Sequence, residues 1–209
     1  MIKLLFATFA ISIVLVLSGC GSSSPPPVFV THILSDRVLN DGDIKLTNGT
    51  FSILQGNPGT VSAGVDPISG SEFRAFLDFP LTGPGGVPGS AIIESATLDI
   101  FVDTITIQPA AATIPILIEL VSLPTQTLFS SYFDVPAALA TKRTFIARTD
   151  VNNHVLIDVS QLMVQAQISG LTNFRIRILE DFGVNVLAGL VTIDDTTDVL
   201  APELEVVYR

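Results

Sequence analysis

Hydrophobic and polar residues alternate in many short runs along this chain, and turn residues separate the runs. Alternation with a period of two places successive side chains on opposite faces of a β-strand. In the clearest case, segment 43–53, two such runs flank Asn48-Gly49. Both of these residues tolerate positive φ, so the pair predicts a two-residue hairpin turn.

The same alternation predicts strands at 73–79, 96–107, 116–123, 144–148, 154–159, 174–179, 190–193 and 204–208. One helix is predicted over 161–168, since Ser160 is a suitable N-cap and Gly170 can provide a left-handed C-terminal stop. This pattern predicts an all-β fold, an antiparallel jelly-roll-like β-sandwich with one short α-helix. The alternating positions predicted to form the core are Phe73, Leu77, Phe79, Leu98, Ile100, Val102, Ile157, Val159, Phe174, Ile176, Leu204 and Val206.

The N-terminus departs from the strand pattern. Lys3 precedes an apolar stretch, 4–17, that is shorter than the ~20 apolar residues of a membrane-spanning helix but typical of a signal-peptide core. The stretch ends in Leu17-Ser-Gly-Cys20, which resembles the lipobox of bacterial lipoproteins, and Cys20 is the only cysteine. We therefore expect lipid on Cys20. The alternative is an ordinary secretory signal in which the cysteine is incidental.

This interpretation divides the chain into three parts. Residues 1–19 are the expected lipoprotein signal peptide, 20–30 the lipidated cysteine with a Ser/Pro tether, and 31–209 a single β-sandwich domain. Several acyl chains anchor a protein stably, so the expected partner is a membrane and the expected location is the bacterial cell envelope. Gly21 favours the outer membrane, since in enteric-type sorting Asp at that position favours retention in the inner membrane.

Charge and composition narrow the range of partners. The formal net charge of −10 argues against binding to nucleic acid and against polybasic docking on anionic lipid. With Cys20 lipidated, no disulfide can form within one chain, so the apolar core must stabilise the domain.

Several segments resemble a known domain family. Ile93-Glu-Ser-Ala-Thr-Leu-Asp-Ile-Phe-Val102, segment 157–165 and the closing segments 174–178 and 201–208 are similar, in this order, to those of DNRLRE-type domains. That resemblance implies a jelly-roll-like β-sandwich related to carbohydrate-binding modules. Many members carry a Trp-containing segment before the helix, whereas this chain has no Trp and departs from the pattern over 125–153. The resemblance therefore implies the fold more than sugar binding.

No motif in the sequence indicates catalysis. The chain has two histidines, His32 and His154, and it lacks a Gly-x-Ser-x-Gly elbow, a His-Glu-x-x-His helix and a phosphate loop. We therefore predict no catalytic residues and no cofactor.

Two acidic runs and one aromatic run are candidate binding sites. Asp41 and Asp43 form one acidic run, and Asp194, Asp195 and Asp198 form another; either could supply oxygen ligands to a structural Ca²⁺, with a solvated acidic turn as the alternative. The aromatic run, a candidate platform for stacking sugar rings, consists of Phe129, Tyr132 and Phe133. Its alternative is that the two phenylalanines pack inward while the tyrosine covers an edge.

These features favour a lipid-anchored envelope protein with a non-catalytic binding or structural module. Its expected ligand is a polysaccharide or an envelope protein. The alternative is a hydrolase or lyase that acts on envelope polysaccharide. A flat aromatic face would favour glycan binding, and a broad apolar patch would favour a protein partner.

Overall fold

The computed structural model describes residues 26–108, 111–183, 189–196 and 199–209. The predicted signal peptide and Cys20 lie outside these ranges. The described residues form one curled antiparallel sheet of twelve strands with a single α-helix, α1 (Ser160–Ile168), which confirms the predicted all-β, sandwich-like fold. The strands are β1 (Phe29–Leu34), β2 (Gly42–Thr47), β3 (Thr50–Gln55), β4 (Thr60–Val65), β5 (Glu72–Pro80), β6 (Ile93–Ile107), β7 (Thr113–Leu120), β8 (Ala140–Ala147), β9 (Asn153–Asp158), β10 (Asn173–Glu180), β11 (Gly189–Asp194) and β12 (Glu203–Tyr208).

The hairpin predicted at Asn48-Gly49 joins β2 to β3. Both residues have positive φ, 50° and 78°, as the tight two-residue turn requires. Thr47 pairs with Thr50 directly beside the turn, and this register places Ile44 opposite Ile53. The local sequence therefore determined both the turn and the strand register.

Two strands organise the sheet. The long strand β6 pairs with β9 along one edge and with β12 and then β11 along the other. Leu98, for example, pairs with Ile157 of β9 on one side and with Leu204 of β12 on the other. Strand β5 pairs with β2 along one edge and with β4 and β10 along the other. Beyond β10 the sheet continues through β7 to β8, so it curls around a common interior.

The main core fills this interior. Of the twelve predicted core residues, all except Phe73 are buried, and Leu98, Val102 and Leu204 are fully inaccessible to solvent. Phe73 is half-buried near the start of β5, where the Lys45 ammonium lies 5.2 Å from its ring centroid. The predicted register of the long strands is therefore confirmed, and the error at Phe73 reflects its place near a strand end.

The helix α1 closes the interior with buried Leu162, Met163 and Ala166. Its C-terminus matches the prediction, since Gly170 adopts φ 62° and Leu171 N donates to Ala166 O at 3.0 Å. The predicted N-cap at Ser160 is wrong.

Helix α1 already includes Ser160, and Val159 occupies the cap position without a side-chain hydrogen bond. The Ser160 hydroxyl instead donates to Asp158 Oδ1 at 2.6 Å and accepts from Ala96 N at 2.9 Å, which ties the helix start to β6. This tertiary contact with β6 outweighs the local capping preference.

A second, smaller core covers the outer face of β2, β5 and β10. Residues 121–139, between β7 and β8, pass over this face and include a 3₁₀ turn at Ser130–Phe133. We call this cluster the outer core; its buried members are Ile44, Phe76, Leu128, Tyr132 and Phe133. Because the sheet is covered on both faces here, β5 and β10 bury residues of both parities, including Asp78, Arg175 and Arg177.

The alternating pattern did not predict two of the strands. Strand β1 begins at Phe29, inside the predicted tether, and only Ile33 in it is buried. Strand β4 contains small residues such as Ala63 and Gly64, so it lacks a strong alternating signal; its pairing with β11 and β5 defines it as a strand. Strands β7 and β8 start three and four residues before the predicted positions.

Candidate binding site

The aromatic run does not form an exposed three-ring platform. Tyr132 and Phe133 are 8% and 2% exposed and belong to the outer core, whereas Phe129 is 48% exposed. The Arg74 guanidinium carbon lies 3.9 Å from the centroid of the Phe133 ring, and the centroids of the Phe133 and Phe51 rings are 5.3 Å apart. The three rings therefore do not form one exposed platform. Of the alternative, the inward packing of Phe133 is confirmed, whereas Phe129 is exposed and Tyr132 is buried.

Polar contacts hold the buried part of this run in place. Arg177 Nη1 donates to the carbonyl oxygens of Tyr132 and Phe133 at 2.8 and 3.1 Å, while its Nη2 lies 2.6 Å from Glu119 Oε2. The Tyr132 hydroxyl lies 3.1 Å from Thr125 Oγ1. Arg177, on β10, therefore supports the segment over the outer core.

An exposed apolar surface borders the outer core on the hairpin side. Phe51 and Ile53, on one face of β3, are 41% and 42% exposed, although their cross-strand partners Leu46 and Ile44 pack in or against the outer core. Phe129 directly precedes the 3₁₀ turn that contacts β3, and its ring stands edge-on to Tyr132 at 5.6 Å. We call Phe51, Ile53 and Phe129 the hairpin patch.

Strand β3, which carries part of the hairpin patch, is a sheet edge. Among the described strands β3 pairs only with β2, so its other side presents unpaired backbone donors and acceptors. Gln55 fixes the strand against the neighbouring loop, because its amide accepts from Leu128 N at 2.8 Å and donates to Gln126 O at 2.8 Å. The patch is thus both apolar and held in a defined position.

A small polar cavity of about 190 Å³ lies at the other end of the outer core. Its floor contains the buried Arg175, which forms an ion pair with Asp78 and donates to Thr125 O at 2.9 Å. Asn173 Nδ2 donates to the other Asp78 oxygen at 2.8 Å, so the floor is electrically compensated. Hydroxyl and amide groups line the rim, from Ser122, Thr125, Gln126, Thr172 and Asn173.

The sequence suggested part of this floor. Arg175 and Arg177 alternate within the predicted strand 174–179, which places both on one face. Both pair with acids, and the partner of Arg175, Asp78, is 1% exposed. The available signal for this ion pair was an acid in one predicted strand and an arginine in another. The sequence did not show that β5 pairs with β10 and places Asp78 opposite Arg175.

The two acidic runs converge only in part. Asp41 and Asp195 are fully buried and interact electrostatically. Asp43 lies apart, with its Oδ2 accepting from Ser62 N at 3.1 Å, and Asp194 accepts from Thr196 N at 2.8 Å. Asp198 lies outside the described residues.

Across the described part of the chain, no group of three or more His, Cys, Asp or Glu side chains is placed to hold a metal ion.

Burial perturbs the acidity of the acidic residues near this point. Desolvation raises the pKa of Asp41 to about 8, and the neighbouring charge of Asp195 adds to this effect. Desolvation likewise raises the pKa of Asp195 to about 7, opposed by the positive charge of Arg37. The pKa of Asp43 rises to about 6 for the same reason, opposed mainly by the hydrogen bond from Ser62.

Neither histidine lies in the cavity. His32 Nδ1 is 2.6 Å from Glu203 Oε1, and this hydrogen bond raises the pKa of the imidazole. His154 Nδ1 is 2.9 Å from Asp99 Oδ1. Each histidine thus forms an exposed pair with a carboxylate on a strand surface, and neither pair is part of the cavity lining.

Comparison with known proteins finds no family whose sequence profile matches the chain and no curated protein that is similar to it. The described residues also contain no helix that is long and apolar enough to cross a membrane. The geometry above is therefore the basis for the functional proposal.

Proposed function

We propose that this chain is a lipid-anchored protein of the bacterial cell envelope whose DNRLRE-like β-sandwich is a non-catalytic module that binds another envelope protein. The anchor is proposed from Leu17-Ser-Gly-Cys20 and the tether that follows it. Acyl chains on Cys20 would hold the domain at the membrane. Gly21 favours the outer membrane.

The hairpin patch is the observation that supports a protein as the binding partner. Exposed apolar residues beside an unpaired strand edge suit a partner that adds a strand, since main-chain hydrogen bonds then supply affinity and side-chain pockets supply specificity. Phe51 and Ile53 would contact such a partner on one face, and Leu54, which is 49% exposed, would contact it on the other.

The polar cavity supports polysaccharide as a second candidate ligand. Its hydroxyl and amide rim matches the hydrogen-bonding groups of a neutral sugar, and its compensated floor disfavours a charged ligand. The volume of about 190 Å³ suits one small ring. The sole exposed ring of the predicted aromatic run, Phe129, is not part of the lining, which is why we rank this ligand second.

Two observations support a non-catalytic module over a hydrolase or lyase. The buried carboxyl pair Asp41 and Asp195 is inaccessible to solvent, so a polysaccharide could not reach it. His32 and His154 lie outside the lining of the polar cavity, so neither is placed to act on a ligand bound there. A glycosidase would need two acids across an open cleft. Release of reducing ends from envelope polysaccharide by the purified protein would favour the enzyme instead.

Site-specific photo-crosslinking in cells tests the protein-binding proposal. A photoreactive amino acid at Ile53 should give a cross-linked product of discrete mass. Leu156 is the matched control, because it is also an exposed apolar residue, 68% accessible, on strand β9. The product at position 53 should weaken when Phe129→Ser is added. Absence of a product at 53, or the same product at 156, would contradict the proposal.

A glycan array with the full-length protein tests the second candidate. Binding through the cavity should be lost in Gln126→Ala, which keeps the backbone carbonyl that contacts Gln55, and should persist in Phe129→Ser. Binding that is unaffected by Gln126→Ala would exclude the cavity as the sugar site.

A further inference from the structure

A buried acidic cluster lies where the loop between β1 and β2 meets the end of β11. It consists of Ser35, Asp41 and Asp195, which are 7%, 0% and 0% exposed. Main-chain contacts position all three: Asp41 Oδ1 accepts from Asp78 N at 2.8 Å, and the amides of Ser35 and Asp195 donate to Pro202 O and Gly59 O, each at 2.9 Å.

Several polar atoms of this cluster lack a hydrogen-bond partner of normal geometry within the described residues. They are Ser35 Oγ, Asp41 Oδ2 and both carboxylate oxygens of Asp195. The Ser35 hydroxyl is close enough to both acids to act as a hydrogen-bond donor, and this interaction lowers the pKa of each. Buried polar groups in folded proteins are almost always bound to something, because an unmet group costs about 1–3 kcal/mol and a charged one more.

The surrounding charges do not neutralise the pair. Asp78, which also acts on Asp41, is already paired with Arg175. Asp195 is influenced by one positive group, Arg37, and by one further negative group, Asp194. When both carboxyl groups are ionised, Arg37 balances one of the two negative charges, and a bound cation would stabilise the other.

We propose that Ser35, Asp41 and Asp195 bind a hard divalent cation, with Ca²⁺ preferred over Mg²⁺. All four available atoms are oxygens, the donor type that Ca²⁺ and Mg²⁺ select, and no nitrogen or sulfur ligand is present among them. Both oxygens of Asp195 are available, so this residue can bind in the bidentate mode that the flexible coordination of Ca²⁺ accepts. The ion would join the β1–β2 loop to the end of β11, two segments that are far apart along the chain.

The test is a thermal unfolding titration of the full-length protein in detergent at pH 8, after treatment with EDTA. CaCl₂ at a hundredfold excess over its dissociation constant should raise the Tm by about 5–10 °C for a domain of this size. MgCl₂ should produce a smaller shift at the same concentration. Calorimetric titration of the same protein with CaCl₂ should give one binding event per chain.

Isosteric variants locate the site. Asp195→Asn and Asp41→Asn should each remove the Ca²⁺-dependent shift, whereas Asp103→Asn, which removes an acid of β6 outside the cluster, should keep it. A chain that shows no Tm shift and no calorimetric binding overturns the proposal, and so does a shift that survives in both variants. If Asp41→Asn does not fold, Asp195→Asn and the calorimetry of the unsubstituted chain still show whether Ca²⁺ binds at this site.

Discussion

Truncation of Phe133 to alanine tests whether the aromatic run is a core or a binding platform. The Phe133 ring is 2% exposed and lies against the Arg74 guanidinium and the Phe51 ring. Phe129 provides the matched control, because it lies four residues earlier in the same run and is 48% exposed.

The structure sets the magnitude of each effect. Removing a buried Phe side chain costs about 3–5 kcal/mol through lost apolar burial and the cavity that remains. Loss of the cation–π contact with Arg74 adds about 0.5–2 kcal/mol. At Phe129 we expect a cost of about 1 kcal/mol, from the edge-to-face contact with Tyr132. The free energy of unfolding should therefore fall several times more in Phe133→Ala than in Phe129→Ala.

Urea denaturation followed by far-UV circular dichroism measures both values. We expect the midpoint to fall in Phe133→Ala with little change in the slope, and Phe133→Leu to recover much of the loss because it refills the cavity. If Phe129→Ala proves the more costly substitution, Phe133 is not buried in solution. The outer core would then be absent, and the run would be free to act as a sugar-stacking platform.

Further predictions concern the main core, a buried acid and the N-terminus. Leu98→Ala should cost about 2–5 kcal/mol, whereas Asp99→Asn on the other face of β6 should cost about 0.5 kcal/mol or less; the reverse order would show an inverted register. Burial raises the pKa of Glu180 to about 7, so the folded state holds this proton more tightly and stability falls as pH rises from about 4.5 to 7. Glu180→Gln should therefore raise the Tm at pH 8 and have little effect at pH 4; an equal change at both values would contradict this. Mass spectrometry of the membrane fraction should find an acylated N-terminus at Cys20, and an unmodified Cys20 or an intact Met1 would refute lipidation.

The strands and the main core were predictable because most strands bury one face and expose the other, which produces a period of two in the sequence. Leu98, Ile100 and Val102 recur at every second position and are flanked by Thr97, Asp99 and Asp103, so the period of the sequence identifies the buried face. The errors occur where a second layer is added. Phe76 and Asp78 lie on the face that the alternation in β5 assigned away from the core, yet the segment 121–139 covers them.

The candidate sites were less predictable, since they depend on contacts between distant segments. The sequence identified Asp41 and Asp195 as members of two separate acidic runs, and it had no means of showing that folding buries both beside Ser35. It also identified Phe129 and Tyr132 as neighbours without showing that one is exposed and the other buried. Ser35 carried no signal, because a lone serine after a strand is common in loops.

The sequence by itself determined the features that depend on neighbouring residues. These are the hairpin turn at Asn48-Gly49, the helix stop at Gly170 and the inward face of β6, and each follows from backbone preferences or a period of two. Tertiary structure alone decided which outer faces are covered, which charges become buried pairs and which strand edges stay open. Those properties arise from the packing of segments separated by tens of residues, and a local pattern carries no information about its distant neighbours.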